Sequence, residues 1–181
     1  TSFTRIIIVL HFTRSALNTQ TAPPNQVLIG LALFLTFFIM TPTITQIYQD
    51  AYVPYEAGEI KEEEALTAAI GPIRQFMYGE TQTKLFMGIA RLDWDGELDD
   101  IPLTVLIPSF MVSELRTAFF MGFVIYIPFI IIDMVVASAL MSMGMMMLPP
   151  TTISMPFKIL LFVMADGWSL IIGSLVRTFH I

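Results

Sequence analysis

Side chains able to do acid–base or ionic chemistry occur in two settings along this sequence. Glu62-Glu63-Glu64 and Asp99-Asp100 are runs of carboxylates in polar surroundings. Paired carboxylates can share a proton or hold a cation, but nothing near these would shift their pKa, so they read as solvated faces. Glu114, Asp133, Lys158 and Asp166 lie instead inside apolar stretches. An ionised side chain in hydrocarbon costs roughly 2.5–3.5 kcal/mol on insertion scales, so each needs a partner or a function. Glu114 and Lys158 could pair, within one chain or between neighbours, or either could reach the interface or water. Glu114 and Arg116 are two apart on a helix and do not face each other. Asp133 and Asp166 could serve as proton-relay carboxylates, but helix capping or subunit packing suits each better.

Other chemistries find no residues to carry them. The chain has no cysteine, and its two histidines, His11 and His180, are far apart. Thiol catalysis and disulfides are excluded, and a zinc site is unsupported. No phosphate-loop, dinucleotide, metalloprotease or nucleophile-elbow motif is present. Neither an enzyme nor a cofactor or metal is expected. An acidic chain with no basic patch also argues against nucleic acid. One run stands out: five of the seven residues in Met141-Ser142-Met143-Gly144-Met145-Met146-Met147 are methionine. Unbranched, adaptable methionines fill gaps in a core, and in a pore they would close a hole yet yield to a passing chain.

These residues sit in segments that read as apolar helices. Hydrophobic residues make up 55% of the 181, mean hydropathy is +0.74 and only 13% are charged. A soluble domain has about 25% charged residues, so the apolar excess must be covered by lipid or other subunits. Residues 3–17 read as the end of a helix whose start precedes Thr1. Thr21-Ala22-Pro23-Pro24-Asn25 is a turn, and residues 27–40, reaching about 47 if Pro42 is tolerated, complete a hairpin. A segment rich in acid follows, with twelve acidic and four basic residues between Asp50 and Asp100. Its acidic residues mark the first turn of a helix over 59–70. Pro72 starts another through 77, residues 86–92 continue the apolar stripe, and Asp93-Trp94-Asp95-Gly96 is a turn. Residues 101–148 are almost wholly apolar, with Pro108 and Pro128 as candidate kinks and Pro149-Pro150 as a stop. A last helix over 156–176 holds Asp166-Gly167 at its middle.

No apolar run reaches twenty residues without a charge or a proline, whereas a simple lipid-facing span has about 20 clean apolar residues. Such interrupted helices suit a multi-subunit assembly better than a monomeric bundle. Arg5, Arg14 and Arg177 favour the cytoplasmic side by the positive-inside rule, which puts the acidic segment on the opposite side. The expected organisation is 1–47, the hairpin; 48–100, the acidic helical segment; 101–150, apolar helices ending in the methionine loop; and 151–181, the last helix.

Several stretches resemble one family. They are Thr1-Ser2-Phe3-Thr4-Arg5-Ile6-Ile7-Ile8-Val9-Leu10, Pro23-Pro24-Asn25-Gln26-Val27-Leu28-Ile29-Gly30, Ser113-Glu114-Leu115-Arg116-Thr117-Ala118-Phe119, Ile127-Pro128-Phe129-Ile130-Ile131-Ile132-Asp133, the methionine run with its prolines, Pro156-Phe157-Lys158 and Asp166-Gly167-Trp168. In register over the whole chain, these are similar to the FliP family of type III secretion export gates. The resemblance implies an all-α fold of helical hairpins in a membrane-associated, oligomeric gate of the bacterial inner membrane, with a small acidic helical segment in the periplasm. It implies partners as well: further copies of the chain, subunits of the FliQ and FliR type, other export-apparatus membrane proteins, and unfolded flagellar proteins passing through. It places Met145, Met146 and Met147 in a channel gasket, Glu114 and Lys158 in an inter-subunit ion pair, and Phe76 and Phe86 in contacts between copies. Gln26-Val27-Leu28-Ile29-Gly30 and Gly173-Ser174-Leu175-Val176 look more flagellar than injectisome. A proton-coupled small-solute transporter is the reading from another class, but such proteins carry internal repeats, and none is visible here. A passive anchor would leave the methionine run unexplained.

Overall fold

The computed structural model describes residues 1–81, 101–145 and 147–179. Every regular element among the described residues is helical: α1 (Phe3–Ala16), α2 (Asn25–Ile47), a π-helical turn (Tyr48–Tyr52), α3 (Val53–Glu56), α4 (Glu62–Gly79), α5 (Leu103–Ser142), α6 (Pro150–Met164) and α7 (Gly167–Arg177). The all-α expectation holds.

Among the described residues, two helices are long and apolar enough to cross a membrane: the rod Asn25–Glu56, of 32 residues, and α5, of 40. At 1.5 Å per residue, α5 is about 60 Å long, twice the roughly 30 Å of bilayer hydrocarbon. A single plain span does not need that length. Only 22% and 11% of their most apolar windows are buried within the chain, so lipid or protein must cover the remainder.

Prolines interrupt these helices less than the sequence suggests. Pro42 lies inside α2, and Pro108 and Pro128 lie inside α5. In apolar surroundings a broken helix would strand several backbone groups, whereas a proline within it removes one hydrogen bond. Pro72 starts no new helix; it is buried in the middle of a continuous α4. The acidic start of α4 falls at Glu62-Glu63-Glu64, where the Glu64 carboxylate accepts from the Lys61 N–H at 3.2 Å. Those charges sit at the positive end of the helix dipole.

The chain divides into two compact units. One comprises Thr1–Thr4, Thr36–Arg116 and Phe179–Ile181; the other comprises Arg5–Leu35 and Thr117–Thr178. In the first, Met77 of α4 packs with Ile101, Leu106 and Phe110, and Phe76, Tyr78, Leu103 and Val105 close around them. Arg74 Nη1 donates to the Ile101 carbonyl at 2.6 Å, tying α4 to the segment that leads into α5. The second unit is built on Ala16, Leu17, Phe129 and Phe162, with Ile125, Tyr126, Ile132, Trp168 and Ile171 against them.

Two glycines set close approaches in that second unit. The Phe12 ring of α1 lies edge-on to Phe119 at 5.3 Å and to Tyr126 at 6.0 Å, directly over Gly122 of α5. Residues 119, 122 and 126 share one helix face, and a Cβ at 122 would come within 2.5 Å of the ring. Small residues let apolar helices approach in this way. At the other end, α6 and α7 are bent 65° from one another, where a single helix over 156–176 was expected. Asp166 adopts the left-handed conformation, at φ 48°, and a Cβ on the next residue, Gly167, would collide with the Phe162 ring. That ring is also edge-on to Trp168 at 5.3 Å. The Asp166-Gly167-Trp168 motif is therefore a packed corner.

Gly122→Ala and Gly167→Ala are expected to lower thermal stability in detergent by about 1–3 kcal/mol each, the usual cost of overpacking. Gly173→Ala, with open space where its Cβ would be, should be neutral; equal losses at all three positions would remove the close-approach explanation.

Candidate functional site

Helix ends buried in apolar surroundings leave carbonyls without partners, and a buried cation solves that problem in the second unit. Lys158, on α6, is buried. Its Nζ donates to Asp133 Oδ2 on α5 at 2.7 Å and to the carbonyl of Ala16, the last residue of α1, at 3.3 Å. Ser154, one turn earlier on α6, donates to Asp133 Oδ1, so both carboxylate oxygens are engaged. The ammonium thus joins three helices, with its charge at the negative end of the α1 dipole. Asp133 keeps some solvent contact, 29% against 4% for the lysine side chain.

A second buried cation does similar work. Arg5 donates through Nη1 to the carbonyl and hydroxyl of Thr178, just past the end of α7, both at 3.1 Å. Arg14 holds the turn between α1 and α2, donating to the Pro23 carbonyl at 3.2 Å and to Asn25 Oδ1 at 2.6 Å. Of the arginines read as topology signals, then, at least Arg5 and Arg14 have structural work.

The methionine run is shaped by Gly144. Met145 N–H bonds the Leu140 carbonyl, and Gly144 N–H bonds that of Met141, the paired bonds of a Schellman end, with Gly144 at φ 73°. Helix α5 therefore stops at Ser142, well before Pro149-Pro150. Pro150 instead opens α6, a position where its missing N–H costs nothing. The loop exposes Met145 by 48% and Met147 by 99%, so Met147 fills no core within the chain. Met146 lies outside the described residues.

The remaining predicted positions are dispersed. Glu114 is fully buried, in the first unit. Phe76 is partly buried, 6.0 Å from the Phe110 ring and 6.5 Å from Phe179. Phe86, the stretch 86–92, Asp99-Asp100 and His180 lie outside the described residues. Asp166 occupies the corner before α7, and its side chain makes no cap hydrogen bond. Among the described residues, no group of three or more His, Cys, Asp or Glu side chains could hold a metal ion.

Sequence reasoning missed the Lys158–Asp133 pair. The two lie on different helices, so no helical spacing links them. The available signal was that each is the only charged side chain in its apolar stretch, 117–142 and 150–164.

Removing one member of a buried pair typically costs about 3–5 kcal/mol. Asp133→Asn leaves the less exposed charge without its carboxylate and should destabilise more than Lys158→Met, which leaves a partly solvated aspartate. The double variant should cost less than the sum of the singles in detergent unfolding; strict additivity would show that the two do not interact.

The FliP family model matches residues 1–175. Flagellar biosynthetic protein FliP of Bacillus subtilis (strain 168) is 60% identical over 99% of this chain and 82% of its own length. The protein of the same description from Pectobacterium carotovorum subsp. carotovorum is 52% identical over 99% of this chain and 71% of its own length. That from Buchnera aphidicola subsp. Acyrthosiphon pisum is 54% identical over 99% of this chain, which spans 48% of that relative. With the family's pattern covering nearly every residue and such identity along the whole length, the chain belongs to the FliP family.

Proposed function

We propose that this chain is a membrane subunit of the flagellar protein export apparatus, and that several copies, with subunits of the FliQ and FliR type, surround a channel for unfolded flagellar proteins across the inner membrane. The relatives' description as flagellar biosynthetic proteins supports the flagellar over the injectisome reading. Two long apolar helices with little of their surface buried support a subunit whose fold is completed by lipid and by neighbours.

The observation that carries the gate is the methionine loop. Gly144 turns the chain out of α5, and Met145 and Met147 stand exposed beyond it. A ring of such loops would line the narrowest part of the channel, where flexible thioethers seal against each other and give way to a polypeptide. Energy comes from elsewhere in the apparatus, and the chain itself needs no catalytic residue.

Glu114 and Lys158 are proposed to pair between neighbouring copies. Both are already buried in the single chain, so the pairing requires assembly to reposition them. Phe76, only partly covered by its own cluster, and Phe86 are proposed to meet neighbouring copies. The acidic segment is assigned to the periplasm.

Replacing Met145, Met146 and Met147 with alanine should make the assembled gate leak, raising membrane conductance above wild type. Wild-type conductance in a fully assembled triple variant would reject the gasket. Glu114→Ala should reduce the yield of oligomers more than it reduces monomer thermal stability, and intact oligomers from this variant would reject the inter-subunit pair.

A further inference from the structure

The acidic segment carries a feature that neither the channel nor the gasket uses. At the far end of the Asn25–Glu56 rod, the α-helix loosens into the π-helical turn Tyr48–Tyr52 before α3. Single π-turns occur frequently at functional sites, because the extra residue re-aims the side chains after it. Here the Tyr48 and Tyr52 rings stack at 5.3 Å and an interplanar angle of 20°. Both are about half exposed, as is Tyr55.

Beside these rings, between this turn and α4, lies an open cleft of about 320 Å³. Tyr52, Tyr55 and Leu66 line it together with three small residues, Ala51, Ala65 and Ala69. Glu62 is the charged group at the cleft. Over residues 48–81 the carboxylates Asp50, Glu56, Glu59, Glu62, Glu63, Glu64 and Glu80 face only two cations, Lys61 and Arg74. Arg74 is bonded to the Ile101 carbonyl.

We propose that this cleft docks a basic amphipathic helix of a partner protein. Alanines at the contact let a partner helix come close, and Leu66 with the tyrosine rings receives its aliphatic side chains. Exposed tyrosine faces attract Lys and Arg by cation–π interaction, and the surrounding carboxylates reinforce that choice. A second copy docking through this same acidic face would bring like carboxylates to the contact and be repelled. A small-molecule site would enclose most of its ligand, which an open cleft does not.

The test uses the full chain in nanodiscs of zwitterionic lipid and two labelled synthetic amphipathic peptides, one Leu/Lys and one Leu/Glu, read by fluorescence anisotropy. The Leu/Lys peptide should bind, weaken with added salt, and lose affinity by about tenfold, equivalent to 1.4 kcal/mol, in Leu66→Arg and in Glu62→Lys. Glu63→Lys, the same charge change one residue on and off the cleft lining, should bind nearly as wild type. Because Leu66 and Glu62 are exposed, these variants should fold normally, and unchanged thermal unfolding would confirm it. Equal binding by the Leu/Glu peptide, equal loss in Glu63→Lys, or wild-type binding by Leu66→Arg would overturn the proposal. So would a smaller assembly mass in peptide-free Leu66→Arg, which would assign the cleft to contacts between copies.

Discussion

A helix end inside an apolar environment must find partners for its last carbonyls, and much of the second unit answers that requirement. Lys158 meets the end of α1 and carries Asp133 of α5 with it, while Arg5 meets the end of α7. Each cation neutralises a helix terminus, and each terminus relieves part of the cost of burying the cation. Water would do this work in a soluble protein. Here the charge must come from the chain, which explains why so apolar a sequence keeps an arginine and a lysine buried. The Asp133 carboxylate then completes the balance, with Ser154 taking its second oxygen.

The long helices impose a different constraint. An α5 of about 60 Å with most of its apolar surface uncovered is not a finished surface. Phe120, Phe123, Val135 and Met134 are each more than half exposed. Soluble monomers rarely carry apolar patches of that extent. The chain's folding and its membrane or subunit contacts are therefore parts of one process: the same residues that make the helices also require a covering.

Turns are where the sequence controls direction most tightly. Gly144 lets the backbone turn left-handed and ends α5, Asn18 does the same just after α1, and Asp166 bends α6 into α7. Asn and Asp tolerate that conformation better than other side chains. At Gly144 the turn also delivers Met145 and Met147 to the outside of the chain.

Composition, pattern and motifs alone were enough for the helical class, the apolar membrane character, the acidic segment, two of the buried charges, Glu114 and Lys158, and the family. Those properties rest on composition, on local pattern and on motifs that a linear chain displays. Three helix boundaries were misplaced: Pro72 stays buried inside a continuous α4, the left-handed Gly144 ends α5 before Pro149 is reached, and Asp166 turns left-handed where one helix was expected, because packing and backbone conformation outweigh the local signal of residue type. It took the folded chain to reveal that Lys158 answers Asp133 and the end of α1, that Phe12 rests on Gly122, and that Tyr52 and Leu66 share a cleft. Each of these depends on which helices lie side by side. That is fixed by packing between residues far apart in the chain, which no spacing along it records.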